Sequence, residues 1–280
     1  MNGNLMKQLA RYFSRYEEYL AGEKQSLCLP SWDALRTDWW IGLRFFLNRA
    51  FMQGRRDSVS FAFLEATNAA LAELLPPDLS AQERDGRVLQ WSAAGFFHKA
   101  NWNSDDNPVR QALNRAHTIE VDGKTRISST GKARDREMVL DILRFICEHP
   151  AAGGQVLNIA KYAAERIELG ETAVVFTELD DIRQVGPKIA AFFLRDLVAV
   201  LELQSRLSPA DYRLLMPVDT WIEKIAGKLG IQPGPDGLAA AIADTCHQEG
   251  VDPIHFNQGA WYLGAHSFDL LLENLERIKP

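Results

Sequence analysis

The stretch QVGPKIAAFFLRDL, residues 184–197, decides how the chain is read. Leu179, Ile182 and Val185 precede the glycine at helical spacing, and Ile189 to Leu197 follow it as a nearly apolar run. Two helices therefore meet at a tight turn. Gly186 accepts φ > 0 and lets the backbone approach a partner closely. Pro187 suits the first helical position, where its missing N–H costs nothing. Ala190 and Ala191 let the second helix pack tightly, and the amides at its start can bind a phosphate. Lys188 has three candidate fates here: a solvated charge, a phosphate contact or a nucleophile.

The 280 residues allow one two-lobed domain or two small ones, with 46% hydrophobic and 24% charged residues as in soluble globular chains. A net charge of −6 excludes coating of nucleic acid by bulk charge, so any nucleic-acid contact must be local. Cys28, Cys147 and Cys246 lie far apart with no CxxC, which argues against an iron–sulfur cluster or thiolate zinc and fits a reducing cytoplasm. His247, His255 and His266 match no metal-ligand spacing and read as structural. No metal or cofactor is implied. The first twenty residues lack the apolar region of a secretory signal, and no run is long enough to span a bilayer.

Periodicity predicts helices over 5–21, 36–53, 58–75, 136–148, 156–168, 177–183, 187–204, 209–215, 220–229, 237–249 and 257–275. Pro76 and Pro77 end the third of these. Residues 101–135 are polar and contain TIEVDGKTRISS, a short hairpin turning at Asp122-Gly123. The fold class is all-α with a small β-hairpin insertion.

MPVDTWIEKIAGKLG, residues 216–230, is a second helix start. Thr220 with Glu223 reads as a capping box, which leaves Asp219 outside the cap and able to face a cleft. The alternative makes Asp219 itself the N-cap. Gly230 ends the helix, with Lys224 and Lys228 toward its negative end.

Together VGPK and PVD resemble the helix-hairpin-helix superfamily of base-excision DNA glycosylases. Its hairpin usually reads LPGVGxKTA, and here Gln184 stands in place of the first glycine. Its essential aspartate lies in the PVD segment, at Asp219. The separation 219 − 188 = 31 residues is longer than in the endonuclease III-like branch and is similar to the archaeal 8-oxoguanine DNA glycosylase branch. RAFMQGRRDSVSFAFL (49–64) resembles that branch's early helix–turn–helix, and EGVDPIHFNQGAWYLGA (249–265) its late helix. The resemblance covers about 40–75 and 175–265; the polar stretch 80–135 has no counterpart.

The resemblance implies a two-lobed helical glycosylase fold, with a hairpin lobe over 45–205 and a second lobe built from 1–44 and 206–280. It implies a monomeric, cytoplasmic, nucleoid-associated enzyme acting on double-stranded DNA that carries a damaged base, with no membrane partner. A flipped nucleotide would enter a pocket. Lys188, partly desolvated beside Phe192 and Phe193 with its pKa lowered, would attack the sugar C1′. Asp219 would stabilise the positive charge on the sugar. The Schiff base would permit strand cleavage by β-elimination. Trp261 takes the position of an aromatic that stacks on the base, or belongs to the core. Asn257 stands where the family has an aspartate; it can both donate and accept hydrogen bonds, which leaves the base open, with an oxidised purine such as 8-oxoguanine first. Gln53 corresponds to a residue that fills the gap in the duplex, or is a solvated turn residue. Gly186, Arg55, Arg56 and Arg183 are DNA-binding candidates, with Lys132, Arg134 and Arg136 as further basic candidates. Two other readings remain: a non-catalytic DNA-binding hairpin, and an all-α interaction protein with coincidental turns.

Overall fold

The computed structural model describes residues 3–53, 57–121 and 123–275. It is mostly helical. The order is α1 (Gly3–Arg11), α2 (Phe13–Ser26), α3 (Ala34–Thr37), α4 (Trp39–Ala50), α5 (Asp57–Leu74), α6 (Ala81–Ala93) and α7 (Pro108–Asn114), then strands β1 (His117–Val121) and β2 (Lys124–Ser128). There follow α8 (Ala133–Glu148), α9 (Ile159–Glu168), α10 (Thr172–Asp180), α11 (Gly186–Val200), α12 (Pro209–Leu214), α13 (Thr220–Leu229), α14 (Gly237–Gln248) and α15 (Pro253–Leu275). No helix among the described residues is long and apolar enough to cross a membrane.

Two helices inside the stretch expected to be polar have plain local causes. Ser80 caps α6, accepting from the Glu83 amide while the Glu83 carboxylate accepts from the Ser80 amide. Asn107 caps α7 through the Arg110 amide, with Pro108 in its first turn. The hairpin forms as read, antiparallel, with Val121 opposite Lys124 and Gly123 at φ +70°. Asp122 lies outside the described residues.

The chain divides into two compact units, and not at the expected 45–205 boundaries. The first comprises Met1–Trp32, Ala163–Thr177 and Ala190–Pro280; the second comprises Asp33–Tyr162 and Glu178–Ile189. The shift has physical reasons. Residues from Asp33 onward are bound into the second unit, where Asn158 Nδ2 donates to the Leu35 carbonyl and Trp39 Nε1 to Asp85. Beyond Ile189, α11 instead places Arg195 and Asp196 against Tyr16 of α2.

Within the first unit, Leu5, Met6 and Leu9 of α1 share a core with Ile222, Ile225 and Leu229 of α13, Ile242 and Cys246 of α14, and Phe256, Ala260 and Leu263 of α15. Gly259 permits the α1–α15 approach, since a Cβ there would stand 2.1 Å from the Leu9 carbonyl oxygen. Within the second unit, α5 packs on α7 and β1, and α8 packs on α6 and α7.

Candidate functional site

In the second unit, the turn between α10 and α11 is built as its residue types require. Leu179, Ile182 and Val185 are buried beneath it. The Val185 amide donates to the Ile182 carbonyl at 2.9 Å, closing the turn. Gly186 has φ +65°, and so, less usually, does Gln184 at φ +66°. A side chain in this left-handed region costs roughly 1–2 kcal/mol. Gln184 thus takes a conformation that a glycine would adopt freely. Pro187 lacks an amide, so Gly186, Lys188 and Ile189 supply the donors that begin α11.

Three neighbours hold this turn. Arg183 lies against α8: its amide donates to Asp141 Oδ2 at 2.8 Å, and its guanidinium meets Glu137 Oε2 at 2.7 Å. The same guanidinium lies 5.5 Å from the Trp102 ring centroid. Gln53 Nε2 donates to the Gln184 carbonyl at 3.1 Å and to Met138 Sδ at 2.9 Å. Lys188 is half-buried, and its Nζ donates to the Met52 carbonyl at 2.7 Å. The segment after α4 and the first half of α8 therefore form the platform of the turn. Arg183, partly exposed, is paired with Glu137, and Gln53 is hydrogen-bonded to the turn. Arg55 and Arg56 lie outside the described residues.

In the first unit, Asp219 is the N-cap of α13. Its Oδ1 accepts from the amides of Trp221 and Ile222, each at 3.0 Å. This corrects the capping box expected of Thr220 and Glu223: with Asp219 as cap, Glu223 falls one position too late to close one. The Oδ2 oxygen takes no hydrogen bond among the described residues, and the side chain is half-buried. Gly230 ends α13 at φ +75° as read.

Asn257 is fully buried. Its Oδ1 accepts from Arg195 Nη1, and its Nδ2 donates to the Pro217 carbonyl at 3.1 Å and to Met216 Sδ at 2.9 Å. With both amide hydrogens engaged, its side chain offers no donor to a base, contrary to the role expected. It fixes instead the backbone two residues before Asp219. Arg195, also fully buried, donates to Asp196 Oδ1 and to the Tyr16 hydroxyl, which in turn donates to Asp196 Oδ2 at 2.7 Å. This four-residue network went unread in the sequence, although an Arg-Asp pair inside FFLRDLVAV is its visible trace. Trp261 is half-buried among aromatics, edge-on to Tyr16 at 5.6 Å and tilted to Phe192 at 6.0 Å.

Two of the three candidate histidines are accounted for locally. His255 stacks on Phe13 at 4.0 Å and His247 stands edge-on to Tyr212 at 5.2 Å. The His266 side chain lies outside the described residues. No cluster of His, Cys, Asp or Glu suited to a metal ion occurs among the described residues.

Compared with family models, with curated proteins and with solved structures, the chain matches none of them.

Proposed function

We propose that the chain is a bifunctional DNA glycosylase and abasic-site lyase with a helix-hairpin-helix glycosylase fold, acting on a modified base in duplex DNA and best suited to an oxidised purine. The observation that carries this is the turn itself. Gln184 and Gly186 both take positive φ, at the two positions where the resembled hairpin has glycines, with Lys188 in the first turn of α11. A helix that starts at such a turn has amides without intrahelical acceptors in its first turn, and these can bind a phosphate. The lysine follows two residues after Gly186.

In the proposed reaction Lys188 Nζ, as the neutral amine, forms a bond to the sugar C1′ while the bond from C1′ to the base breaks. The base leaves with the glycosidic electron pair and takes up a proton. The resemblance assigns to Asp219 the role of the anion that stabilises the positive charge at the sugar. Opening of the sugar gives a protonated Schiff base between Lys188 and C1′. Loss of a C2′ proton then expels the 3′ phosphate, and water releases the amine. Borohydride trapping on an oligonucleotide with an abasic site tests this, because an amine nucleophile leaves a covalent adduct. Absence of any adduct removes the lyase.

One observation favours a second reading. Asp219 already caps α13, and a hairpin that grips phosphate without chemistry needs no further carboxylate. The same trap separates the two.

A further inference from the structure

We propose that the β1–β2 hairpin and the first turn of α8 form a second phosphate-binding surface, continuous with the Gln184–Lys188 turn, that takes the backbone of duplex DNA. Residues 109–136 carry seven arginines and lysines against three acidic residues, in a chain whose net charge is −6. Such a local excess of positive charge is what a nucleic-acid reading requires of so acidic a protein.

Three of the seven are engaged locally, Arg110 by Asp105, Arg115 by Glu73 and Arg136 by the Gly131 carbonyl, and the other four stand exposed. Ile119 of β1 packs on Ala62 and Ala66 of α5, which seats the hairpin by its first strand. Lys124, Thr125, Arg126 and Ile127 of β2 are exposed, with Ile127 at 78%. Lys132 and Arg134 are exposed at the start of α8. Lys124, Arg126, Lys132 and Arg134 make no ion pair among the described residues. Cations at a helix N-terminus oppose its dipole and cost stability. Their presence there is explained by an anionic partner. Asp135, in the same turn, is buried and spent on the Lys132 amide at 2.7 Å, so it presents no negative charge outward.

Continuity with the turn comes through α8. Glu137, which holds Arg183, lies five residues beyond Lys132, about 7.5 Å along the helix axis. That distance is close to the spacing of successive phosphates along one strand. In the proposal a duplex seated on the turn extends over the start of α8 and the hairpin, where the exposed Ile127 offers an apolar contact to the sugars.

This surface rests on the DNA reading above but not on the lysine chemistry, and its test keeps the two apart. Binding of the full chain to an undamaged duplex is measured over a salt series, for wild type, Lys124→Ala/Arg126→Ala and Lys132→Ala/Arg134→Ala. Each lost phosphate contact lowers the slope of log affinity against log salt by about 0.9. Each pair is therefore expected to lower it by about 1.8 and to weaken binding roughly ten- to a hundredfold at low salt. The substitutions are exposed, so circular dichroism should be unchanged. Wild-type slope in both variants overturns the proposal, whether or not the protein traps an abasic site. A reduced slope without any trapping sustains the surface and removes the enzyme. Tighter binding to single-stranded RNA than to duplex, lost in the same variants, overturns the choice of DNA.

Discussion

Lys188 Nζ donates to the main-chain carbonyl of Met52, 2.7 Å away, so the amine that the proposed reaction needs is tethered just beyond the end of α4. Such a bond aims the side chain and is broken easily, since a typical hydrogen bond contributes about 1 kcal/mol net. Lys188→Gln is expected to abolish borohydride trapping and strand cleavage while duplex affinity falls less than about tenfold, one phosphate contact at most being lost. Strand cleavage at the wild-type rate in this variant would place the nucleophile elsewhere.

Asp219 carries two tasks in the proposal, and two substitutions separate them. Asn retains an Oδ1 that can accept from the Trp221 and Ile222 amides, so Asp219→Asn should stay within about 0.5 kcal/mol of wild-type stability, measured by urea unfolding. Asp219→Ala should lose about 1 kcal/mol. Both should lose base excision, because neither bears a charge. If Asp219→Asn excises as well as wild type, the carboxylate serves α13 alone.

The left-handed Gln184 gives a stability test of the turn. Gln184→Gly removes the side-chain strain but adds freedom to the unfolded chain, and the net change is expected within about 1 kcal/mol in the stabilising direction. Gly186→Ala should destabilise by about 1 kcal/mol, although nothing lies within 4 Å of a Cβ there. Its conformation alone sets the cost. Opposite signs would mean that the turn has another backbone form.

Removing the Asn257 amide should disturb the approach to Asp219. Asn257→Leu leaves the Pro217 carbonyl and one Arg195 N–H without partners in a buried site, at about 1–3 kcal/mol each. Excision and abasic cleavage should fall together, since both depend on the placement of Asp219. Trp261→Ala, by contrast, should cost excision more than abasic cleavage, because an abasic substrate has no base to stack. Equal losses return Trp261 to packing against Tyr16 and Phe192.

The thiols report on the packing. Cys28 is exposed, whereas burial pushes the Cys147 thiol up to about 12 and raises that of Cys246 as well. A disulfide reagent at neutral pH should titrate one thiol quickly and the other two only on unfolding. Fast reaction of all three would contradict the buried positions.

What could be read in the sequence was local. Gly186, Pro187 and the flanking aliphatic spacing announced the turn, and Asp122-Gly123 between alternating residues announced the hairpin. Adjacent residues that can both cap a helix, Asp219 and Thr220, could not be ranked from spacing alone, and the three-residue step to Glu223 favoured the wrong one. The α6 and α7 helices are polar enough to hide their periodicity, although Ser80 with Glu83 and Asn107 with Pro108 were available signals. The buried network was out of reach. Tyr16 meets Asp196 across 180 residues, and Arg195 meets Asn257 across 62; no local pattern predicts such pairs, and the unit boundaries depend on them.

The contact of Gly259 with Leu9 sets an order in time. The apolar side of α1 finds its cover 250 residues downstream, so during synthesis it waits uncovered while the segment 33–162 emerges and finds its own partners. Closing so long a loop is slow relative to local packing. A chain ended after residue 205 keeps Arg195 and Asp196 for α2, and is expected to protect the second unit from protease and to leave α1 open to cleavage. Early protection of α1 would mean that it has a temporary partner, and a chaperone would be the first place to look for it.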